Sequence, residues 1–154
     1  MPNYILINSK IETFKKKMNV VSDKSISIRS ILLASQAVGV SKISNLLESE
    51  DVINALKTIK KLGIGYQKKN NIYHIQGYGL NGFDFKKKVT INAGNSGTLA
   101  RLILGLLVKA KYKVKIIGDK SLSKRDFSRV IKPLELFGVN LKSNNNKLPI
   151  EILG

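Results

Sequence analysis

The chain of 154 residues contains no cysteine and only one histidine, His74. Without cysteine it can form neither a disulfide framework nor a metal site built from thiolates. His74 falls in a stretch that predicts a hairpin strand, and a lone histidine is more often structural than catalytic, so we do not expect it to act as a general base. We expect the protein to use no metal and no cofactor.

Long apolar runs are also missing from the sequence. The longest, Leu102–Val108, is too short to cross a bilayer. The first ten residues, MPNYILINSK, lack the charged and apolar regions of a signal peptide. Because hydrophobic residues still make up 43% of the chain, it can bury a core of its own. We therefore expect a folded cytoplasmic protein with no membrane partner.

Acidic residues are scarce: 10 Asp and Glu stand against 27 Lys and Arg, which gives a formal net charge of +17. This excess favours an anionic partner, although most of the lysines are expected to be solvated surface. Only four of the cations are arginines, at positions 29, 101, 125 and 129. Arginine is the better bidentate partner of carboxylate and phosphate, so these four positions are the more informative ones.

The arginines fall in two stretches that share one layout. The first stretch runs from MNVVSDKSISIRSILLASQAVG to GYQKKNNIYHIQGYG, and the second from KVTINAGNSGTLARLILGLLVKA to NLKSNNNKLPIEILG. Arg29 and Arg101 are 72 residues apart, and Gly63 and Gly138 are 75 apart. A steady spacing of this kind indicates an internal repeat. We place the two units at 19–80 and 81–154.

Each unit predicts the order βαβαββ, and hence an α/β (α+β) fold. A glycine follows the second helix of each unit, in the position where helices commonly end. In the first unit the predicted segments are a strand at 20–21, a helix at 25–37, a strand at 41–47, a helix at 50–62 and a hairpin that turns at KKNN. In the second unit they are a strand at 89–92, a helix at 97–110, a strand at 112–117, a helix at 124–137 and a hairpin that turns at KSNNN.

The first helix of the second unit is apolar around nearly its whole circumference, which predicts a buried helix. Its start nonetheless carries the polar residues Asn95 and Thr98 beside Gly97. Unpaired N–H groups and the positive end of the helix dipole favour an anion there. Arg101 lies one turn further along the same face, so this helix start is a candidate anion site.

The first unit repeats that arrangement with Lys24, Ser25 and Arg29. Two buried helices would then present starts lined with cations. A second interpretation fits the spacing equally well: the serines at both starts only cap their helices, and the arginines pair with Asp23 or Glu50. Spacing alone leaves both interpretations open.

Four stretches together resemble the 5-enolpyruvylshikimate-3-phosphate synthase family: SDKSISIRSILLASQAVG, NLLESEDV, NAGNSGTLARLILGLL and GDKSLSKRDFSRVIKPLELFG. They stand in that family's order and spacing, and the resemblance covers the chain from about Asn19 to Gly154. It implies the inside-out α/β fold of the enolpyruvyl transferases, built from repeated units. It also implies transfer of the enolpyruvyl group of phosphoenolpyruvate to the 5-hydroxyl of shikimate 3-phosphate, in the shikimate pathway to chorismate and the aromatic amino acids.

The resemblance also implies roles for the residues that match the family's motifs. Lys24 would contact both small anionic substrates, and Ser25 and Arg29 would hold the carboxylate of shikimate 3-phosphate. Gly97, through its backbone, and Arg125 would meet phosphoenolpyruvate. No catalytic acid or base is expected in the part of the family's sequence that this chain matches.

Residues around these positions are expected to support the site. Arg101 is expected to tie its helix start to neighbouring backbone. Asp126 stands where the family usually has proline, and its carboxylate could pair with Arg125 and compete with the ligand. The residues expected near the site in supporting roles are Asn95, Thr98, Arg101 and Asp51.

The family fold has two domains of three units each, whereas this chain holds two units. We therefore expect an N-terminal fragment with half of a site, inactive by itself and self-associating, of an enzyme that is monomeric at full length. Residues 1–18 are expected to form a strand segment that packs on the missing second domain.

Two alternatives to this interpretation are considered. The related UDP-N-acetylglucosamine enolpyruvyl transferase shares the repeated unit, but its typical reactive cysteine is absent here. A basic nucleic-acid-binding module would suit the net charge, but the sequence has no helix-turn-helix, RNP-like or zinc pattern. We accordingly expect no nucleic acid among the partners.

Overall fold

A computed structural model describes residues 20–154 of the chain, together with residues 6, 8 and 15. The prediction for 1–18 therefore lies outside the described residues, apart from those three positions. The first unit contains α1 (Lys24–Gln36), β1 (Val38–Ser44), α2 (Glu50–Lys61), β2 (Tyr66–Lys69) and β3 (Ile72–Tyr78). The second unit contains β4 (Val89–Asn92), α3 (Gly97–Leu106), β5 (Val114–Ile117), α4 (Lys120–Ser123), α5 (Ser128–Leu136), β6 (Asn140–Asn144) and β7 (Lys147–Leu153).

The strands form two sheets of matching order. The first sheet has the order β1-β3-β2, and both of its pairs are antiparallel. The second has the order β4-β5-β7-β6, in which β4 and β5 are parallel and the other pairs antiparallel. With β4 set aside, the three remaining strands repeat the order of the first sheet. This confirms the α/β fold class built from repeated units.

Two predicted elements differ in kind from the structure; in addition, the strand predicted at 41–47 begins and ends three residues earlier, as β1, and the helix predicted at 97–110 ends at Leu106. The prediction of a strand at 20–21 is wrong: Val20 and Val21 are largely exposed and belong to neither sheet, so no neighbouring strand satisfies their backbone groups. The helix predicted at 124–137 begins later, as α5 at Ser128, and residues 120–123, which precede the predicted helix, form the separate short helix α4. The later start follows because the Asp126 carboxylate accepts the amide of Ser128 at 2.7 Å, and such side-chain bonds to nearby backbone compete with helix formation.

Pairs of asparagines make the two hairpin turns. Asn70 and Asn71 join β2 to β3, and Asn145 and Asn146 join β6 to β7. All four residues have positive φ angles, between 47° and 59°. A two-residue hairpin loop of this type requires positive φ at both positions, and asparagine tolerates that conformation better than most residues. The hairpins predicted from the Asn-rich turns are therefore confirmed.

One apolar core joins the two units. Within the first unit, α1 packs on α2 and on β3, and the side chains of Ile28 and Ile59 are wholly buried. Between the units, α1 also packs on α3, and α2 packs on β4. Because α1 and α3 lie side by side, the starts of both helices come to the same end of the molecule, where the candidate site lies.

Phe127 carries much of the packing of the second unit. Its side chain is 0% exposed, and its amide donates to the carbonyl oxygen of Asn146 at 2.9 Å. This contact holds the start of α5 against the turn between β6 and β7. A phenylalanine in such a place contributes through its large apolar area and through the cavity that its removal leaves.

We expect Phe127→Ala to lower the free energy of unfolding by about 3–5 kcal/mol, measured by urea denaturation. Phe137→Ala is the matched control, because that phenylalanine is 85% exposed and its truncation is expected to change stability by no more than about 0.5 kcal/mol. Equal effects of the two substitutions would contradict the placement of Phe127 in the core.

Candidate active site

The starts of α1 and α3 meet at their side chains. The Ser25 hydroxyl of α1 lies 3.5 Å from the Thr98 hydroxyl of α3. The unpaired N–H groups and the positive ends of both helix dipoles therefore lie beside each other. Two dipoles in this arrangement favour an anion more strongly than a single helix start does.

The two helices are capped differently. In α3 the buried Ser96 hydroxyl accepts the amide of Leu99 at 3.2 Å. In α1 the cap is Asp23, whose carboxylate accepts the amide of Ile26 at 2.6 Å. The capping interpretation thus holds for the serine of α3 and not for Ser25, whose hydroxyl contacts Thr98 instead.

Lys24 is fixed by a carboxylate from another helix. Its ammonium nitrogen lies 2.8 Å from Asp51 Oδ2, in the first turn of α2. The side chain of Asp51 is 12% exposed, whereas that of Lys24 is 52% exposed. The pair therefore orients Lys24 while leaving part of its ammonium group open to a ligand, and an ion pair exposed to this degree contributes little to stability.

Arg29 lies one turn after Ser25 on α1, and its side chain is exposed. Within residues 20–154 it makes neither a side-chain hydrogen bond nor an ion pair with Asp23 or Glu50. The interpretation in which Arg29 is neutralised by those acids is therefore not supported. Its five N–H donors face outward from the helix start.

Arg101 is bound to backbone on both sides. It donates to the carbonyl oxygen of Gly97 at 3.4 Å and to that of Asp126 at 3.1 Å. Its guanidinium also lies over the ring of Phe127, 4.7 Å from the centroid. These contacts account for a cation inside an otherwise apolar helix: it joins the start of α3 to the turn before α5.

Gly97 stands where two guanidiniums approach the backbone. A Cβ at this position would lie 2.6 Å from Nη1 of Arg101 and 3.2 Å from Nη1 of Arg125. The first distance is too short for any real Cβ contact, so a side chain would displace Arg101. The glycine is thus required for the close approach of both cations to the start of α3.

Arg125 is held by a chain of hydrogen bonds. It donates to Asn95 Oδ1 at 3.1 Å, and Asn95 donates to Asp119 Oδ2 at 2.6 Å. Asp119 in turn accepts the amide of Leu122 at 2.7 Å and so caps α4. The loop after β4 and the loop after β5 are thereby joined, with Arg125 at their edge.

Asp119 was missed by the sequence analysis, although a signal was present. The motif DKS occurs twice, at 23–25 and at 119–121, and its aspartate caps a helix both times. The backbone amide of Leu122 holds the pKa of the Asp119 carboxyl below its usual range, and the amide group of Asn95 lowers it further. Asp119 is therefore ionised at neutral pH, next to the cations of the site.

Asp126 does not pair with Arg125. Its carboxylate accepts both the amide and the hydroxyl of Ser128 at 2.7 Å, and these bonds lower the pKa of Asp126. The competition with a ligand that the sequence suggested is therefore absent from this arrangement, and Asp126 shapes the turn before α5.

Metal-binding groups, membrane-spanning helices and the one histidine were the remaining features to place among the described residues. No group of three or more His, Asp or Glu side chains among them is placed to hold a metal ion. None of their helices is long and apolar enough to cross a membrane. His74 lies in β3, opposite Lys42 and Gln67 in the sheet, and not at the helix starts.

A repeated α/β unit that gathers cations at the starts of its buried helices is the arrangement expected of an enolpyruvyl transferase. Residues 9–154 match the family model described as EPSP synthase (3-phosphoshikimate 1-carboxyvinyltransferase). The chain belongs to this family.

Individual relatives agree with this result. The 3-phosphoshikimate 1-carboxyvinyltransferase of Ruthia magnifica subsp. Calyptogena magnifica is 47% identical over 138 residues, which cover 89% of this chain and 31% of that protein. That of Oceanobacillus iheyensis is 40% identical over 139 residues. The structure of EPSP synthase from Acinetobacter baumannii superposes with a TM-score of 0.80 at 35% identity, over 92% of this chain and 32% of that one. The chain thus spans about a third of the length of the relatives it matches.

We expect Asn95→Ala to raise the pKa of Asp119 toward its ordinary value, because one of the donors that stabilise its carboxylate is removed. A carbon-detected NMR titration measures this. Since the pKa of Asp119 in the folded state lies below the unfolded value near ~3.9, its contribution to stability is present above that value and is lost as the pH falls through the folded pKa.

The control for this titration is Asp126 in the same variant. The pKa of Asp126 is lowered by Ser128 and not by Asn95, so it should not move. A pKa of Asp119 that does not change in Asn95→Ala would mean that the bond from Asn95 does not contribute.

Proposed function

We propose that this chain forms the N-terminal portion of an enzyme that transfers the enolpyruvyl group of phosphoenolpyruvate to the 5-hydroxyl of shikimate 3-phosphate. A bond forms between that oxygen and the enolpyruvyl carbon, and phosphate leaves. The observation that carries the proposal is the meeting of two helix starts, at Ser25 and Thr98, between the cations of both units. Both proposed substrates are anions, and the proposed compartment is the cytoplasm.

In this proposal the start of α1 binds shikimate 3-phosphate. Ser25 and Arg29 hold its carboxylate, and Lys24 contacts both substrates. Two features support these roles: Arg29 is exposed one turn after Ser25, and Lys24 is oriented by Asp51 without being covered. A serine hydroxyl and a guanidinium one turn apart can bind one carboxylate together.

The start of α3 and Arg125 bind phosphoenolpyruvate in this proposal. The Gly97 backbone approaches the ligand, and Arg125 is already held by Asn95 at 3.1 Å. Groups that are fixed before the substrate arrives stabilise developing charge without reorganising. Thr98 and Arg101 have supporting roles beside the site. The guanidinium of Arg101 already donates hydrogen bonds to two carbonyl oxygens.

The catalytic acid and base are proposed to come from the part of the relatives' length that this chain does not span. Asp51 is paired with Lys24 and serves to orient it. The chain by itself is therefore proposed to give no phosphate release from the two substrates. Turnover by the pure 154-residue chain would contradict this division of the site.

The experiment that tests the proposed function uses a chimera. Residues 20–154 replace the matching third of a full-length relative, and phosphate release is measured. We expect an active enzyme in which Arg29→Ala weakens shikimate 3-phosphate binding by about 1.5–3 kcal/mol, roughly 10- to 150-fold. Phosphoenolpyruvate binding should change less, because Arg29 is assigned to the other substrate.

Arg129→Ala is the matched control in the chimera. Arg129 lies on α5 and is also exposed, so the same change removes an equal charge from a different helix and leaves α1 intact. If Arg129→Ala weakens shikimate 3-phosphate binding as much as Arg29→Ala does, or if phosphoenolpyruvate is the substrate affected by Arg29, the assignment is wrong.

The proposal extends to self-association of the chain. Ile26 and Leu33 lie on one face of α1 and are 62% and 72% exposed, and Leu102 on the neighbouring α3 is 42% exposed. Exposed apolar surface of this extent is typical of an interface. In full-length relatives the remaining polypeptide is available to cover this face, and in the isolated chain a second copy is proposed to cover it.

We expect Leu33→Lys to lower the average mass of the chain in sedimentation equilibrium, because a charge then faces the apolar contact. Leu80→Lys is the control: Leu80 is 80% exposed, lies after β3 and should leave association unchanged. A parent chain that sediments as a monomer at every concentration would exclude this part of the proposal.

A further inference from the structure

A second group of cations lines a cleft away from the helix starts. The cleft has a cavity volume of about 440 Å³ and lies between α2 and β4. Its volume falls within the range of about 300–1,000 Å³ that is typical of small-molecule sites. None of the residues that line it is acidic. They are Asn54, Lys57, Thr58, Lys60, Lys61 and Asn92.

The wall formed by β4 is an open sheet edge. In the described part of the chain β4 pairs only with β5, and the amides of Val89 and Ala93 donate to carbonyl oxygens on that side. Because backbone N–H and C=O groups alternate in direction along a strand, those of residues 90 and 92 point the other way, toward α2. The carbonyl oxygen of Thr90 accepts Lys61 Nζ at 2.8 Å, and by the same alternation the amide of Asn92 faces the cleft.

The lysines of the cleft are not neutralised by neighbouring acids. The ion pairs formed within residues 20–154 use other lysines, and Lys57, Lys60 and Lys61 take part in none of them. All three lie within five consecutive residues of one helix, so their charges add at one place. Glu50 lies on the same helix one turn before Asn54, and its carboxylate is directed toward Gly94, at the end of the cleft away from Lys60 and Lys61.

We propose that this cleft binds a compact phosphate-type anion, such as pyrophosphate, at a site separate from the candidate active site. The ammonium groups of Lys57 and Lys60 supply charge, as lysine commonly does for phosphate. The amide group of Asn54 and the backbone amide of Asn92 supply directed hydrogen bonds. The site therefore combines the charge and the donors that a tetrahedral oxyanion requires.

The cleft adjoins the loop that carries the candidate active site. Asn92 Oδ1 accepts the amide of Gly94 at 2.9 Å, and a Cβ at Gly94 would lie 2.6 Å from Asn54 Nδ2. Both asparagines of the cleft thus contact the loop between β4 and α3. An anion bound beside them is expected to change the environment of the Gly94 amide.

The test is an amide NMR titration of the 154-residue chain with sodium pyrophosphate at constant ionic strength. Equilibrium dialysis with radiolabelled pyrophosphate gives the affinity whether or not the chain associates. We expect saturable shifts at the amides of Asn54, Thr90, Asn92 and Gly94. The double substitution K57Q/K60Q should weaken binding roughly tenfold or more, because two charge-assisted contacts are lost.

Two further variants make the result specific. K142Q/K147Q removes two exposed lysines from the β6–β7 hairpin and should leave the affinity unchanged. K24Q/R125Q removes cations of the candidate active site and should leave the shifts in the cleft intact. Failure of the cleft proposal therefore does not bear on the proposed function. The proposal is overturned if K57Q/K60Q binds as tightly as the parent, if K24Q/R125Q abolishes the shifts, or if the shifts spread over many lysines without saturating.

Discussion

The guanidinium of Arg101 joins the parts of the molecule on which the candidate site depends. It donates to the carbonyl oxygens of Gly97 and Asp126 and lies over the ring of Phe127. These contacts fix the start of α3 against the turn before α5, and therefore fix where Arg125 stands relative to Gly97. Its donors bind carbonyl oxygens and its planar face covers an aromatic ring, so a cation is tolerated in an apolar helix.

The remaining cations of the site are held in place by acids and amides that do not themselves face the proposed ligand. Asp51 orients Lys24 from α2, and Asn95 links Arg125 to Asp119. Such an arrangement keeps positive charge at the helix starts in the absence of substrate. The electrostatic work of assembling the site is thus done during folding and is available when charge develops in the proposed reaction.

The features predictable from the sequence are those that depend on spacing along the chain. Asparagine pairs mark the hairpins, the repeat follows from regular intervals, and Ser25 and Arg29 lie one turn apart. The ion pair of Lys24 with Asp51 joins residues 27 apart, and the bond from Arg101 to Asp126 crosses from α3 to another turn. Neither contact has a local signal, because each depends on how the helices pack.

The central claim is that the start of α1 receives the carboxylate of shikimate 3-phosphate. The most direct measurement is a crystal structure of the full-length chimera with that substrate bound. The account predicts a substrate carboxylate within hydrogen-bond distance of the Ser25 hydroxyl and the Arg29 guanidinium, with Lys24 still beside Asp51. A bound substrate whose carboxylate lies elsewhere, with Arg29 turned to solvent, would contradict it.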